Sequence, residues 1–294
     1  MQTVAVKHTT KIDVAPPYQL VQSRHGWMLC NVNDFYMGKA LSTYGECCEF
    51  EWQILGQLAR YGGMVVEVGA NMGIHTVPLG KLLAGEGRKM LAFEPQPIIH
   101  QQLCANLALN GLMNVTALPC ACGAETGKVT FAKPDYRRLG NFGAVSVDGP
   151  SLAASASLVE VPCVRIDEMT GGERVGLIKI DVEGFELNVL KGATAIIQRS
   201  RPVIYVENDR VDRSRDLIEW LWAAGYTIWW HLPLLFNPNN FFGVTENLYP
   251  SIASFNMLAI PSDKAGEVPH LPMVTDSSFH PLRATQPSAT GRSS

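Results

Sequence analysis

The sequence predicts an α/β fold in which a seven-stranded, mostly parallel sheet is covered by helices on both faces and carries an antiparallel hairpin at one edge. Two observations predict it. Short apolar runs, typical of buried strands, alternate with longer segments of helical periodicity, which is the pattern of a parallel sheet. The two final apolar runs have no helical segment between them, which indicates an antiparallel pair.

The elements follow in order along the chain. A helix over residues 46–61 places Phe50, Ile54 and Leu58 at four-residue spacing and stops at Gly62. The predicted strands are residues 64–68, 89–93, 114–118, 177–180, 202–206, 226–230 and 255–260. The helices between them are predicted over residues 75–83, 97–109, 185–198 and 212–224. Residues 123–160 are rich in Gly, Ser and Ala and are expected to hold a hairpin and a mobile loop.

These elements divide the chain into four segments. We expect a flexible leader over residues 1–17, an N-terminal cap with a hairpin and a helix over 18–62, the main α/β domain over 63–261, and a disordered tail over 262–294. The tail is rich in Pro, Ser and Thr and shows no periodicity, a composition typical of disorder.

Charge and hydropathy exclude several classes of function. The formal net charge is -3 and no long basic run occurs, so nucleic-acid binding is not expected. No apolar stretch reaches the length of a membrane span, and residues 1–15 lack the apolar core of a secretory signal. We therefore expect a cytoplasmic protein without a membrane span. The sequence is compatible with assembly into a homo-oligomer.

The segment over residues 65–76 carries the strongest chemical signal. An apolar strand is followed by a turn with Gly69 and Gly73 and then by a helix, which is the order of a nucleotide-ligand cradle. Glu67 stands near the end of the strand, where its charge would repel a diphosphate. An acid in this place suits a ligand with a cationic end, such as the amino-acid part of S-adenosylmethionine.

The second strand ends at another acid. Glu94 lies 21 residues after Gly73, and an acid in this place can accept hydrogen bonds from both ribose hydroxyls. Both nicotinamide cofactors and S-adenosylmethionine use this arrangement. Glu94 therefore predicts an adenosine ligand without choosing between them.

The fourth strand leads into a further charged segment. Alternation places Lys179, Asp181 and Glu183 on one side of this strand if it continues. Asp181 could hold a substrate hydroxyl, position the methyl donor, or ligate a divalent cation with Glu183 or Glu207. A Lys–Asp ion pair that closes the edge of the sheet is the alternative.

The segments E-V-G-A-N-M-G-I-H-T, A-F-E-P and I-K-I-D-V-E-G-F-E-L-N-V-L-K-G-A resemble the FkbM family of S-adenosylmethionine-dependent methyltransferases over about residues 35–210. The family usually has Asp in place of Glu67, a change that keeps the charge. The resemblance implies a Rossmann-like class I methyltransferase fold, S-adenosylmethionine as cofactor, and methyl transfer to a hydroxyl of a small molecule, often a sugar or polyketide.

Together with this resemblance, the motifs assign candidate site residues. The expected cofactor-binding residues are Glu67, Gly69, Asn71, Gly73, His75, Thr76, Glu94, Pro95, Cys120, Ala121 and Asp181. Asp181 is the first candidate for contact with the acceptor, followed by Glu183, Lys179 and His75, of which His75 could instead face the core. A metal ligand set, if one exists, would draw on Asp181, Glu183 and Glu207.

Two other functions compete with this prediction. A nicotinamide-dependent oxidoreductase would use a related sheet, but the third glycine of its turn and a Tyr-x-x-x-Lys pattern are missing. A cofactor-binding protein that has lost catalysis is the non-enzymatic alternative, against which the acids at four strand ends argue.

Overall fold

The computed structural model describes residues 14–146 and 157–284. Its strands are β1 (Tyr18–Ser23), β2 (Gly26–Asn31), β3 (Met64–Val68), β4 (Met90–Phe93), β5 (Val115–Leu118), β6 (Ala121–Cys122), β7 (Gly127–Ala132), β8 (Leu158–Val164), β9 (Val175–Ile180), β10 (Val203–Glu207), β11 (Tyr226–His231) and β12 (Asn256–Pro261). Its α-helices are α1 (Met37–Tyr44), α2 (Glu49–Leu58), α3 (Thr76–Ala84), α4 (Pro97–Leu109), α5 (Ile166–Met169), α6 (Glu186–Lys191), α7 (Thr194–Ser200), α8 (Val211–Ala223) and α9 (Pro281–Ala284).

The central sheet has seven strands in the order β11-β12-β10-β9-β3-β4-β5. All neighbours pair in parallel except β12, which is antiparallel to both β10 and β11. The predicted fold class is therefore confirmed. The terminal pair is not simply added at the edge, however, because β12 lies between β10 and β11.

Alternating side chains of the central strands pack against helices on opposite faces of this sheet. Val65 and Leu177 lie with residues of α2 and α3 on one face. Val66 and Ile178 lie with residues of α6, α7 and α8 on the other face. Because both faces are covered, β3 and β9 are buried along their whole length, and their sequences are almost continuously apolar.

The N-terminal cap contains the expected hairpin and helix. Strands β1 and β2 pair antiparallel, and α2 lies over the same face as α3. Helix α2 begins at Glu49, three residues later than predicted, because Cys48 has a left-handed backbone with φ +55°. The predicted leader falls largely on residues 1–13, outside the described residues.

The region after β5 is more regular than the sequence predicts. Strands β6, β8 and β7 form a second sheet, in which β7 and β8 are the expected hairpin. The sequence predicts this hairpin within residues 123–160 without assigning its strands, and β8 continues past that range to Val164. The expected mobile loop falls partly on residues 147–156, which the structure does not describe.

Two predictions need correction. The helix predicted over residues 185–198 is two helices, α6 and α7, because the chain turns at Gly192, where an added Cβ would lie 1.9 Å from the carbonyl oxygen of Gly123. The disordered tail predicted over residues 262–294 does not hold for residues 262–284. There, backbone hydrogen bonds join Pro272 and Val274 to β11.

None of the helices within residues 14–146 and 157–284 combines the length and the apolar character that crossing a bilayer requires.

Candidate active site

A cavity of about 490 Å³ opens at the carboxyl ends of the parallel strands. Its walls come from the ends of β3, β4, β9 and β10, from α1 and α2 of the cap, and from the segment that precedes β12. This is the edge where open parallel sheets bind ligands. The cavity lies at the strand ends where the sequence predicts the site, and its use as the site stays a prediction.

The glycine turn forms the floor of the cavity between β3 and β9. Gly69 has φ +80°, and a Cβ there would lie 1.8 Å from the carbonyl oxygen of Asp181. Gly73 has φ +96° and precedes α3. Asn71 has φ +48°, lines the cavity, and accepts the backbone N–H of Met72 on its Oδ1 at 2.7 Å. Position 69 thus requires glycine, because the segment that follows the neighbouring strand β9 passes too close for a side chain.

Glu94 is held firmly at one end of the cavity. Its Oε2 accepts the backbone N–H of Asn71 at 2.9 Å, and its Oε1 accepts that of Gln96 at 2.8 Å. Burial raises the pKa of Glu94 to about 7, although these two N–H donors act in the opposite direction. Each carboxylate oxygen can accept further hydrogen bonds. The arrangement is suited to a ribose diol.

A narrower, mostly apolar pocket continues the cavity on the side of β5. Pro95, Cys120 and Ala121 line it together with Phe131 and Phe185, and it shares Gly69, Glu94 and Asp181 with the main cavity. Apolar walls next to Glu94 provide a surface for a flat base. The three predicted residues thus lie beside Glu94 in an apolar pocket, and their contact with a ligand stays a prediction.

Lys179 is buried between two carboxylates. Its Nζ lies 3.3 Å from Asp181 Oδ2 and 3.6 Å from Glu67 Oε1. Burial alone would lower the pKa of Lys179, but the charges of Asp181, Glu67 and Glu51 together raise it. Asp181 remains 28% exposed and lines the cavity. Lys179 therefore fixes the Asp181 carboxylate at the cavity wall.

Glu67 is turned into the protein. It is 1% exposed, and its Oε2 accepts the hydroxyl of Thr76 at 2.6 Å. Burial raises the pKa of Glu67 despite the nearby Lys179. Neither Glu67 nor Thr76 contributes to the described cavity wall. Direct contact of Glu67 with a ligand ammonium group stays a prediction, and in this conformation its charge acts through Lys179.

His75 and Glu51 face each other at the cavity. His75 Nε2 lies 3.8 Å from Glu51 Oε2 and has no hydrogen-bond partner among the described residues. Burial, and then Lys179, holds the pKa of His75 well below its usual range, so the ring is neutral. Glu51 accepts the hydroxyl of Ser254 on Oε1 at 2.7 Å. Burial raises the pKa of Glu51 to about 7.

An acidic group lies at the end of β10. One carboxylate oxygen from each of Glu183, Glu207 and Asp209 lies within 4.8 Å of the others. Arg210 pairs with Glu183 and, at 3.5 Å, with Asp209. Glu207 Oε2 has no partner within the described parts of the chain. Of the predicted metal candidates, the structure groups Glu183 and Glu207 but places Asp209 with them instead of Asp181.

The sequence arguments missed several residues of the cavity. Asp209 follows Glu207 by two positions and could have been found from the strand-end argument. Glu51 and Ser254 carry no such signal, because each lies on an element that reaches the site only through tertiary packing.

The chain matches a known family over this region. The family model described as "Methyltransferase FkbM domain" matches residues 67–228, which is more than half of the chain. The chain belongs to the FkbM methyltransferase family. This membership decides for S-adenosylmethionine as the cofactor and against the nicotinamide alternative.

Curated relatives agree with the assignment. The chain is similar to Methyltransferase sdnD of Sordaria araneosa, with 31% identity over 155 residues that cover 44% of this chain and 59% of the relative. It is also similar to Methyltransferase 1 of Beauveria bassiana (strain ARSEF 2860), with 27% identity over 146 residues that cover 44% of this chain and 57% of the relative. Both matches thus span less than two thirds of the relative's length.

Solved structures with a related fold have low sequence identity. Methyltransferase FkbM from Methylobacillus flagellatus KT aligns with a TM-score of 0.45 and 20% identity, covering 67% of this chain and 43% of that chain. Precorrin-6y C5,15-methyltransferase from Geobacter metallireducens GS-15 aligns with a TM-score of 0.44 and 15% identity, covering 77% of this chain and 94% of that chain.

The residues of the cavity fit S-adenosylmethionine. The main cavity has the volume of a small-ligand site, and Glu94 offers acceptor positions for ribose hydroxyls beside the apolar pocket of Cys120 and Ala121. Carboxylates at the opposite side suit the cationic end of the cofactor.

Proposed function

We propose that this FkbM-family protein transfers the methyl group of S-adenosylmethionine to a hydroxyl oxygen of a small molecule, such as a sugar or a polyketide-like compound. One observation carries the proposal. Glu207 Oε2 is buried at the cavity without a hydrogen-bond partner among the described residues, and Asp181 lines the same wall. A carboxylate oxygen without a partner can accept a hydrogen bond from a hydroxyl group and, when ionised, can take up its proton.

The pKa values of the acidic group support a role in proton transfer. Burial, then repulsion from Asp181, raises the pKa of Glu207 well above its usual range. The same two causes raise the pKa of Glu183 to about 8. A base with a pKa close to the working pH takes up a proton most effectively during a reaction, and the value of about 8 places Glu183 in that range at mildly alkaline pH. Asp181, held by Lys179, is suited to orienting the hydroxyl.

The reaction needs alignment and a proton acceptor. S-adenosylmethionine supplies an electrophilic methyl group on its sulfonium sulfur. The hydroxyl oxygen forms a bond to the methyl carbon while the carbon–sulfur bond breaks, its electron pair passes to sulfur, and the hydroxyl proton passes to a carboxylate. The protein contributes by holding the acceptor in line with the methyl group, since correct orientation removes much of the entropic barrier.

A divalent cation is the competing way to activate the hydroxyl. The oxygens of Glu183, Glu207 and Asp209 are of the type that Mg²⁺ prefers. Arg210, however, already pairs with Glu183 and Asp209 and supplies positive charge there. The base route is therefore favoured, and a chelator separates the two.

The experiment uses the full chain, S-adenosylmethionine with an isotopically labelled methyl group, and matched panels of hydroxylated, amine and thiol compounds. The NMR chemical shift of the transferred methyl carbon identifies the atom that received it. We expect an O-methyl product, unchanged by EDTA. Glu207→Gln should lower kcat by about 100-fold or more, consistent with loss of a general base. Glu160→Gln, an exposed position on β8, is the matched control.

Label on nitrogen, sulfur or carbon would overturn the assignment of the acceptor atom. Loss of turnover in EDTA with recovery in Mg²⁺ would replace the base route by a metal route. Wild-type turnover of Glu207→Gln would remove this residue from the reaction.

A further inference from the structure

Glu51 is a buried carboxylate that the cap places in the cofactor cavity. It lies on α2, outside the matched residues 67–228, is 5% exposed, and lines the cavity. No function discussed so far uses it. A buried carboxylate is unfavourable unless hydrogen bonds or a positive charge compensate it. The hydroxyl of Ser254 supplies one neutral hydrogen bond at 2.7 Å, which compensates only part of this penalty.

Negative charge exceeds positive charge around Glu51. Among the described residues, Lys179 is the cation that acts on Glu51, and it is already bound between Glu67 and Asp181. The neighbouring His75 is neutral, because burial holds its pKa well below the usual range. A ligand that brings a positive charge to this place would restore the balance.

The order of the strands would bring the cationic end of the cofactor to this side of the cavity. Glu94 follows β4, Gly69 follows β3, and Asp181 follows β9, and these strands are neighbours in the sheet. Neighbouring strands are about 4.8 Å apart, so the end of β9 lies about 10 Å from the end of β4. With the ribose at Glu94, the amino-acid part of the cofactor would extend over β3 toward β9, and Asp181 and Glu51 both line the cavity.

Glu51 and His75 form a pair of acceptors for one ammonium group. Their Oε2 and Nε2 atoms are 3.8 Å apart, too far for a hydrogen bond between them. The Nε2 atom of His75 is buried without a hydrogen-bond partner among the described residues, so as an unprotonated nitrogen it can accept a hydrogen bond. An ammonium group between the two can donate one N–H to each.

We propose that Glu51 binds the α-ammonium group of S-adenosylmethionine, with His75 Nε2 as a second acceptor. Glu67, which the sequence predicts for this contact, is instead buried, where it accepts the Thr76 hydroxyl and lies beside Lys179. The inference rests on the cofactor of the family and not on the proposed hydroxyl acceptor. It fails or succeeds independently of where the methyl group goes.

The test compares two ligands by isothermal titration calorimetry with the full chain. S-adenosylmethionine has the ammonium group, whereas 5′-methylthioadenosine keeps the adenosine and sulfur but lacks the amino-acid part. Glu51→Gln should raise the Kd of S-adenosylmethionine by about 10- to 100-fold, the range for losing a hydrogen bond between charged groups. The Kd of 5′-methylthioadenosine should stay within twofold of wild type, about the error expected of such a comparison.

Two further variants complete the design. Glu51→Asp keeps the charge on a shorter side chain and should lose less affinity for S-adenosylmethionine than Glu51→Gln. Glu160→Gln should bind both ligands as wild type does. Wild-type affinity of Glu51→Gln for S-adenosylmethionine would overturn the proposal. Equal losses for both ligands would also overturn it, because Glu51 would then support the whole cavity. If Glu51→Gln does not fold, the Glu51→Asp ratio between the two ligands decides.

Discussion

Lys179 on β9 and Glu67 on β3 are register partners in the parallel sheet, and the ammonium group of one lies 3.6 Å from the carboxylate of the other. Asp181 completes the arrangement at 3.3 Å from the same ammonium group. One lysine thereby joins the glycine-turn strand to the strand that presents Asp181 to the cavity. The stability of the site therefore depends on the buried charge of Lys179, which needs no contact with a ligand.

Replacing Lys179 by methionine should be strongly destabilising. The change leaves Glu67 and Asp181 without their cation, and breaking a buried ion pair in this way costs about 3–5 kcal/mol. Urea unfolding of the full chain measures the free energy. Lys89→Met is the control, since Lys89 pairs with Glu173 at the exposed surface and should change stability by about 1 kcal/mol or less. Equal stability of the two variants would contradict the role given to Lys179.

Substitution of Gly69 by alanine should damage both fold and cofactor binding. The new Cβ would lie 1.8 Å from the Asp181 carbonyl oxygen, and the backbone has φ +80°. Gly87→Ala separates the two effects, because Gly87 has φ +66° but nothing within 4 Å of an added Cβ. That control should lose only the backbone term of about 1–2 kcal/mol. Gly69→Ala should lose clearly more in urea unfolding, and a loss no greater than that of Gly87→Ala would argue against close contact between the two strand ends.

Truncation of Glu94 should weaken every adenosine ligand alike. Glu94→Ala removes the acceptor for the ribose hydroxyls, and we expect the Kd of S-adenosylmethionine and of 5′-methylthioadenosine to rise by the same factor, about 10- to 100-fold. Calorimetry gives both constants, and circular dichroism checks the fold. A loss confined to S-adenosylmethionine would move Glu94 from the ribose to the amino-acid end.

Stability should fall as the pH rises from acid to mildly alkaline values. Burial raises the pKa of Glu51 and Glu94 from 4.5 to about 7 and that of Glu183 from 4.5 to about 8. Between these limits the folded protein holds protons that the unfolded chain has released, so each added pH unit favours unfolding. The penalty from these groups is absent below about pH 4.5 and complete above about pH 8.

Urea unfolding at a series of pH values tests this dependence. Saturating S-adenosylmethionine should flatten it, because an ammonium group near Glu51 and hydroxyls on Glu94 favour the ionised carboxylates. Lys179 lowers the pKa of Glu51 and Asp181 raises it. The charge of Glu51 in turn raises the pKa of Lys179, Cys48 and Tyr205. A free energy of unfolding that rises between pH 5 and 8 would contradict the raised pKa values.

The sheet could be predicted from the sequence because its signals are local. Strands β3 and β9 are apolar except for Glu67 and Lys179, and Glu94 and Asp181 directly follow β4 and β9. Contacts that depend on register could not be predicted. The sequence shows Glu67 and Lys179 as two separate charged residues, and only the pairing of β3 with β9 makes them neighbours.

The remaining differences have the same origin. Strand β8 alternates between exposed and buried residues but lies beside a segment whose composition suggests a loop. The break between α6 and α7 reflects the close approach of Gly192 to Gly123, which no pattern in either segment reveals. Glu51 reaches the cavity because α2 packs beside α3, and a helix sequence does not specify its neighbours.

The position of β12 has a consequence for the order of assembly during synthesis. A chain leaves the ribosome from its N-terminus, and β11 joins the sheet only through β12, so the sheet cannot be completed until β12 has emerged. Ser254, two residues before β12, donates its hydroxyl hydrogen bond to Glu51, which lies on α2 near the N-terminal side of the chain. The last of the described strands to be translated is thus an interior strand of the sheet, and the Ser254–Glu51 hydrogen bond of the cavity becomes possible only just before that strand emerges.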